Sequence, residues 1–125
     1  AVVSSSKNAA EVLDVAGIRD RFAVVMDGVI AERDQLASKP APDVFLHAAK
    51  EMGADPKNTI VIEDSMHGIA GARAAGMRVI GFTGASHTHP PHADMLMEAG
   101  AETTVSRMSD LKPTIEALAE WSADI

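Results

Sequence analysis

Three clusters of polar residues each follow a short apolar run or open a helix. Ser4-Ser5-Ser6-Lys7-Asn8 follows Ala1-Val2-Val3, Lys39 sits in Ser38-Lys39-Pro40-Ala41-Pro42-Asp43, and Glu63-Asp64-Ser65 follows Thr59-Ile60-Val61-Ile62. Hydroxyls suit phosphate oxygens, lysine adds a compact positive charge, and paired carboxylates are hard ligands for magnesium. Each cluster also has a plainer reading. Serines act as turn and N-cap residues, a lysine before proline is commonly a solvated loop residue, and acids after a strand favour the positive end of the next helix. The joint presence of all three, in this order, favours phosphate and metal chemistry.

The apolar patterning supplies elements that would bring these clusters to one edge. A helix is predicted from Lys7 to Ala16, with Ala9, Val12, Leu13 and Ala16 on its buried stripe and Gly17 as its stop. A second apolar run, Phe22 to Val25, leads through a polar loop to Lys39. Pro42 opens a helix whose stripe is Val44, Phe45, Ala48, Ala49 and Met52, ending at Gly53. Thr59 to Ile62 is β-branched throughout, the pattern of a parallel strand covered on both faces. A helix rich in small residues, from Met66 to Ala75, could approach the sheet closely through Gly68, Gly71 and Ala72. Then come a strand from Arg78 to Phe82, a helix from Pro91 to Ala99 closed by Gly100, an edge strand from Thr103 to Val105 and an amphipathic helix from Leu111 to Trp121. Such alternation predicts a doubly wound α/β fold, a parallel sheet with helices on both faces. Ligands in these folds bind beyond the carboxyl ends of the strands. Ser4 to Asn8, Asp27, Lys39, Glu63-Asp64-Ser65 and the loop from Thr83 to His92 all fall there.

Bulk properties narrow the classes. The 125 residues carry a net charge of −7, with a pI near 5.1, which argues against nucleic acid as a partner. No apolar run is long enough to span a membrane, and the absence of cysteine removes thiolate chemistry and disulfides. A cytoplasmic location is the expectation. The chain opens on Ala-Val-Val, as though cut within a longer protein.

On these residues the chain resembles the haloacid dehalogenase (HAD) superfamily, in particular its β-phosphoglucomutase-like phosphatases and phosphomutases. Ser4, Lys39 and Glu63-Asp64 look like the family's motifs II, III and IV. The resemblance implies magnesium-dependent transfer of a phosphoryl group from a small sugar or polyol phosphate. Ser4 would donate its hydroxyl to that group and Lys39 would neutralise its growing charge. Asp64 would ligate Mg2+, helped by Glu63 directly or through water. Ser65 would support the metal's surroundings or cap the following helix. Ser5 lies within the binding run, and Ser6-Lys7-Asn8 resembles the part of β-phosphoglucomutase that holds the substrate's non-transferring phosphate. The family nucleophile is an aspartate in an Asp-x-Asp motif, and that motif does not occur in this sequence. Val25-Met26-Asp27-Gly28-Val29-Ile30 imitates its tail, but it lies between motifs II and III, where relatives carry an ordinary third strand. The implied nucleophile and cap domain therefore lie in a segment outside this chain. This chain alone is expected to be inactive.

Other readings stay open: a non-catalytic binding module, or a phosphonate hydrolase or dehalogenase of the same superfamily, the last disfavoured by the acid pair. His87, His89 and His92 flank Pro90-Pro91 without a carboxylate or cysteine to complete a metal set, so a solvent-exposed rim loop is expected. Met95, Met97 and Met108 read as packing or partial exposure, and Trp121 as an anchor. The resemblance implies a strand order of 5-4-1-2-3 with strand 1 missing. Unpaired inner edges would be costly, so we expect the slot to be filled, by another polypeptide or by the flanking strands closing on each other.

Overall fold

The computed structural model describes residues 1–84 and 91–120. The chain is an α/β fold in two parallel half-sheets. Strand β1 (Val2–Val3) pairs with β2 (Val25–Met26), and β3 (Ile60–Glu63) pairs with β4 (Arg78–Phe82), which pairs with β5 (Thr103–Val105). The helices are α1 (Ala9–Val15), α2 (Gly28–Arg33), α3 (Asp43–Met52), α4 (Met66–Ala74), α5 (His92–Ala99) and α6 (Leu111–Glu120). Neighbours across each half-sheet are those the resemblance implies. Every pairing is parallel, as strand-helix alternation requires.

The glycine stops fall where expected. Gly53, Gly76 and Gly100 follow α3, α4 and α5 with positive φ, a conformation that costs glycine little. The core gathers Val44, Phe45, Ala48 and Ala49 of α3, Ile69 and Ala72 of α4, Met77, Val79 of β4 and Leu96 of α5. Small residues allow the close packing. A Cβ at Gly71 would stand 2.9 Å from the Ala41 carbonyl and 3.1 Å from the Phe45 ring.

Three expectations are corrected. The second strand lies later, at Val25–Met26, because the register pairs Val2 with Val25. The polar loop after it contains a helix, α2, capped by Asp27, whose carboxylate accepts the Ile30 N–H at 3.0 Å. The stripe of α1 is not buried as a whole: Ala9 is, but Val12 is 61% exposed. Of the ways in which the slot between the half-sheets could be filled, closure of the flanking strands on each other does not occur. Strands β1 and β3 pair with β2 and β4 but not with each other, and a groove of about 180 Å³ separates their facing edges, lined by Val3, Phe45, Ala48, Met52 and Ile60 to Ile62 among others. Helix α3 packs against β1, β2 and α4 and so bridges the gap. Beside the groove β3 is only half covered, and Ile62 is 39% exposed.

Candidate active site

The strand ends bring the predicted residues together in part. Ser4, Ser5, Ser38, Lys39, Ser65 and His67 border one cleft of about 380 Å³, with Gly28, Ala31, Leu36 and Val44 behind them. Ser6, Lys7 and Asn8 lie outside it, on the exposed continuation of the same loop.

The best-tied part of the site is built around Glu63. Its Oε2 accepts the Lys39 ammonium at 2.9 Å, and only 20% of the lysine side chain and 11% of the glutamate side chain are exposed. The other oxygen accepts the Asp64 N–H at 3.3 Å and the Ser65 hydroxyl at 3.4 Å. The Lys39 ammonium also lies 5.2 Å from the centre of the Phe45 ring, a favourable cation–π placement. Ser65 is the N-cap of α4, its Oγ accepting the Gly68 N–H at 3.0 Å. Of the two roles left open for Ser65, capping is thus present. Gly68 has a further duty: a Cβ there would collide with the Glu63 side chain, so glycine alone leaves room for the carboxylate over the first turn of α4.

The serine loop is built differently, by contacts between near neighbours. Ser4 Oγ accepts the Ser6 N–H and Ser6 Oγ accepts the Asn8 N–H, each at 3.1 Å. These are local turns of the kind short hydroxyl side chains make. Acceptance by Ser4 Oγ does not consume its own proton, which stays available to donate into the cleft. The Ser4 N–H donates to the Met26 carbonyl at 2.9 Å, fixing the loop to β2. Helix α2 then supports the loop from behind. The Gly28 N–H donates to the Ser6 carbonyl at 3.0 Å, and a Cβ on Gly28 would clash with the Ser5 carbonyl and stand 3.1 Å from the Lys7 nitrogen. Lys7 reaches along α2 to Glu32, with its ammonium 2.5 Å from the carboxylate; both are well exposed. That contact holds the Glu32 carboxyl below the usual glutamate range. The Asp27-Gly28 pair thus serves as a helix cap and loop support, with Asp27 buried.

The donor set has the chemistry magnesium prefers. Mg2+ takes one or two carboxylates and completes its shell with water and substrate oxygens. Asp64 and Glu63 at the carboxyl end of β3 are such a pair. Among the described residues no group of three or more acidic, histidine or cysteine side chains forms. By donor chemistry Asp64 suits magnesium with water and substrate oxygens completing the shell, while both Glu63 oxygens are engaged by Lys39, the Asp64 N–H and the Ser65 hydroxyl.

His92 departs from expectation. His87 and His89 lie outside the described residues, but His92 is buried at the start of α5, not exposed on a rim. Its Nε2 lies 2.8 Å from the Asp64 carbonyl oxygen. The signal available in the sequence was its spacing from Leu96, four residues on, which puts both on one helix face.

Comparison with known proteins bears on the family. The model of the haloacid dehalogenase-like hydrolases matches residues 1–76. A β-phosphoglucomutase of Mycobacterium bovis is 39% identical over 113 residues, covering 89% of this chain and 42% of that protein. The fructose-1-phosphate phosphatase YqaB of Escherichia coli is 42% identical over 77 residues, covering 62% of this chain and 39% of that protein. The chain thus spans less than half the length of these curated relatives. Among solved structures, a haloacid dehalogenase-like protein of unknown function from Agrobacterium tumefaciens superposes with a TM-score of 0.82 at 50% identity, covering 94% of this chain and 54% of that one.

Proposed function

The chain belongs to the haloacid dehalogenase-like hydrolases, in their β-phosphoglucomutase-like group, and on that footing we propose that the complete protein is a cytoplasmic, magnesium-dependent phosphatase or phosphomutase of small sugar or polyol phosphates. The observation that carries this reading is the shared cleft, where Ser4 and the Glu63-bound Lys39 meet across about 380 Å³. A transferring phosphoryl group needs positioned donors and positive charge more than covalent help from its surroundings. In this proposal Ser4 donates its hydroxyl proton to a phosphoryl oxygen. Lys39, aimed by Glu63 and Phe45, holds the negative charge that grows in the transition state. Asp64 would hold the magnesium with Glu63 beside it, and the ion when bound neutralises phosphoryl oxygens. Ser6, Lys7 and Asn8, beyond the cleft, would meet a second phosphate.

The attacking carboxylate comes, in this proposal, from an Asp-x-Asp segment outside these residues. It would attack phosphorus and displace the sugar oxygen, forming an acyl phosphate that water or a second hydroxyl then receives. The groove between β1 and β3 supports this assignment: it is a slot between two parallel strands that pair only on their far edges, beside the cleft. Sugar phosphates as the substrate class follow from the relatives' names, a phosphoglucomutase and a fructose-1-phosphate phosphatase.

Two measurements test the reading. Rigorously pure 125-residue chain should release no phosphate from an aryl phosphate with Mg2+, and turnover by it would place the nucleophile inside this chain. In the complete protein, Asp64→Asn should severely weaken Mg2+ binding and activity, and Glu63→Gln should cost less. Equal and negligible effects of the two changes would overturn the metal assignment.

A further inference from the structure

We infer that His92 is a positioning residue for the metal-binding carboxylate: from the first turn of α5 it fixes the Asp64 peptide, and through it the direction of the Asp64 side chain. The inference rests on the proposed role of Asp64, and it assigns a function to a side chain 28 residues away that belongs to none of the three motifs.

A carbonyl oxygen only accepts, so the 2.8 Å contact requires His92 Nε2 to carry a proton. The acceptor occupies a particular place. The β3–β4 ladder ends at the pair Glu63–Gly81, and α4 begins at its cap, Ser65, whose own carbonyl accepts the Ile69 N–H at 3.0 Å. The Asp64 carbonyl thus lies between ladder and helix, in the single peptide where the chain turns. The histidine contact orients that peptide from outside the turn.

Several features of the sequence bring the ring there. Gly81, opposite Glu63 in the ladder, has no side chain, and a Cβ on it would stand 3.0 Å from Leu96 Cδ1. Helix α5 can therefore lie close over β4 with Leu96 fully buried. His92 is one turn before Leu96 on the same face, so anchoring the leucine delivers the imidazole to the strand end. Pro91 precedes it, at the N-cap of α5. At 9% exposure the ring is too enclosed for water to replace it easily as donor.

Groups that orient a metal ligand from behind typically change metal affinity by about 10–100-fold when removed. The test uses the complete protein with His92→Met and His92→Gln, unbranched side chains of similar length of which only glutamine retains an N–H donor. Mg2+ binding is read as the metal-induced rise in melting temperature, with apparent Kd from titration. His92→Met should weaken Mg2+ about tenfold or more, with His92→Gln within about threefold of the parent. If His92→Met does not fold, His92→Asn, whose donor is too short to reach, takes its place with the same expectation. Parent-like Mg2+ affinity in the donor-free variant, or equal weakening in both, would overturn the inference. Asp64→Asn separates this from the parent reading. If it abolishes Mg2+ binding while His92→Met leaves it intact, only the role of His92 fails; if it too has no effect, the metal assignment falls and the inference with it.

Discussion

The two sides of the cleft are made in opposite ways. On one side, Lys39, Glu63 and Ser65 are tied by contacts that join α3's leading loop to the end of β3, 24 residues apart, and the charged pair is mostly buried. On the other, Ser4 to Asn8 is stitched by hydrogen bonds spanning two residues and leans on α2. The difference teaches what each side depends on. The lysine side is held only while the global fold holds, and it is rigid because a buried charge must keep its partner. The serine side can keep its local turns while shifting as a unit, and its setting depends on one glycine beneath it.

The sharpest way to break the contrast is Gly68→Ala. The new methyl group would occupy the space of the Glu63 side chain, which must leave and release Lys39. We expect a loss of about 1–3 kcal/mol, as for other overpacked sites, read as a lower denaturation midpoint. Activity of the complete protein should fall at least tenfold. An unchanged midpoint with full activity would mean that Glu63 does not hold the lysine as described.

Gly28→Ala is the matching change on the serine side. Its methyl group meets backbone, the Ser5 carbonyl and the Lys7 nitrogen, so the loop can yield only by moving as a unit. Stability should therefore drop by about 1–3 kcal/mol here too, and activity falls because Ser4 and Ser5 move relative to Lys39 while the Lys39–Glu63 pair stays in place. Full activity in Gly28→Ala would mean that the serine loop does not depend on this glycine.

How far this site could be read in advance follows from the same contrast. The positions of Ser4, Glu63 and Asp64 at strand ends were legible because apolar runs mark those ends, and a doubly wound fold sends them to one edge. The helices α3 to α6 were legible because periodic stripes and glycine stops are local signals. Helix α2 was not, since its start at Asp27-Gly28 reads equally as a turn, and six residues carry too little periodicity. Nor was the burial of His92, which depends on Gly81 letting Leu96 approach and so on a contact across the fold. The exposed stripe of α1 shows the converse: Val12 follows the right period, but periodicity states which face is apolar and not what covers it.

A third long-range contact, away from the cleft, tests whether distance in sequence alone confers strength. Arg78 of β4 donates to both oxygens of Glu102 at 2.8 and 2.9 Å and to the Leu118 carbonyl of α6 at 2.6 Å. The guanidinium holds the Glu102 carboxyl below the usual glutamate range. A depressed carboxyl pKa stabilises the fold above the ordinary value of 4.5 and loses that contribution as the pH falls through the lower folded value. Glu102→Gln should thus cost about 0.5–1 kcal/mol at neutral pH, with the difference from the parent shrinking below pH 4.5. Melting curves from pH 3 to 7 check this; a difference that grows on acidification would reverse the sign.

The smallest effect on stability, and the most selective on function, is expected at Glu32. Its pairing with Lys7 is exposed to water on both sides, with 62% and 70% of the two side chains accessible, and such pairs are screened and weak. Glu32→Gln should leave the melting temperature unchanged. What it removes is a competitor. If Lys7 is to grip a second phosphate, the ammonium must exchange the Glu32 carboxylate for the substrate oxygens, and a neutral amide there lowers the cost of that exchange. In the complete protein, Glu32→Gln should reduce KM for a bisphosphorylated sugar and leave KM for the monophosphate as it was. Lys7→Ala should raise the bisphosphate KM selectively. A dianion can outcompete one carboxylate, so the pair tunes the site without closing it, and added salt should shrink the difference between Glu32→Gln and the parent. Equal responses of mono- and bisphosphates to both substitutions would move Lys7 and Glu32 out of substrate recognition and leave them a surface pair that steadies α2 against the serine loop.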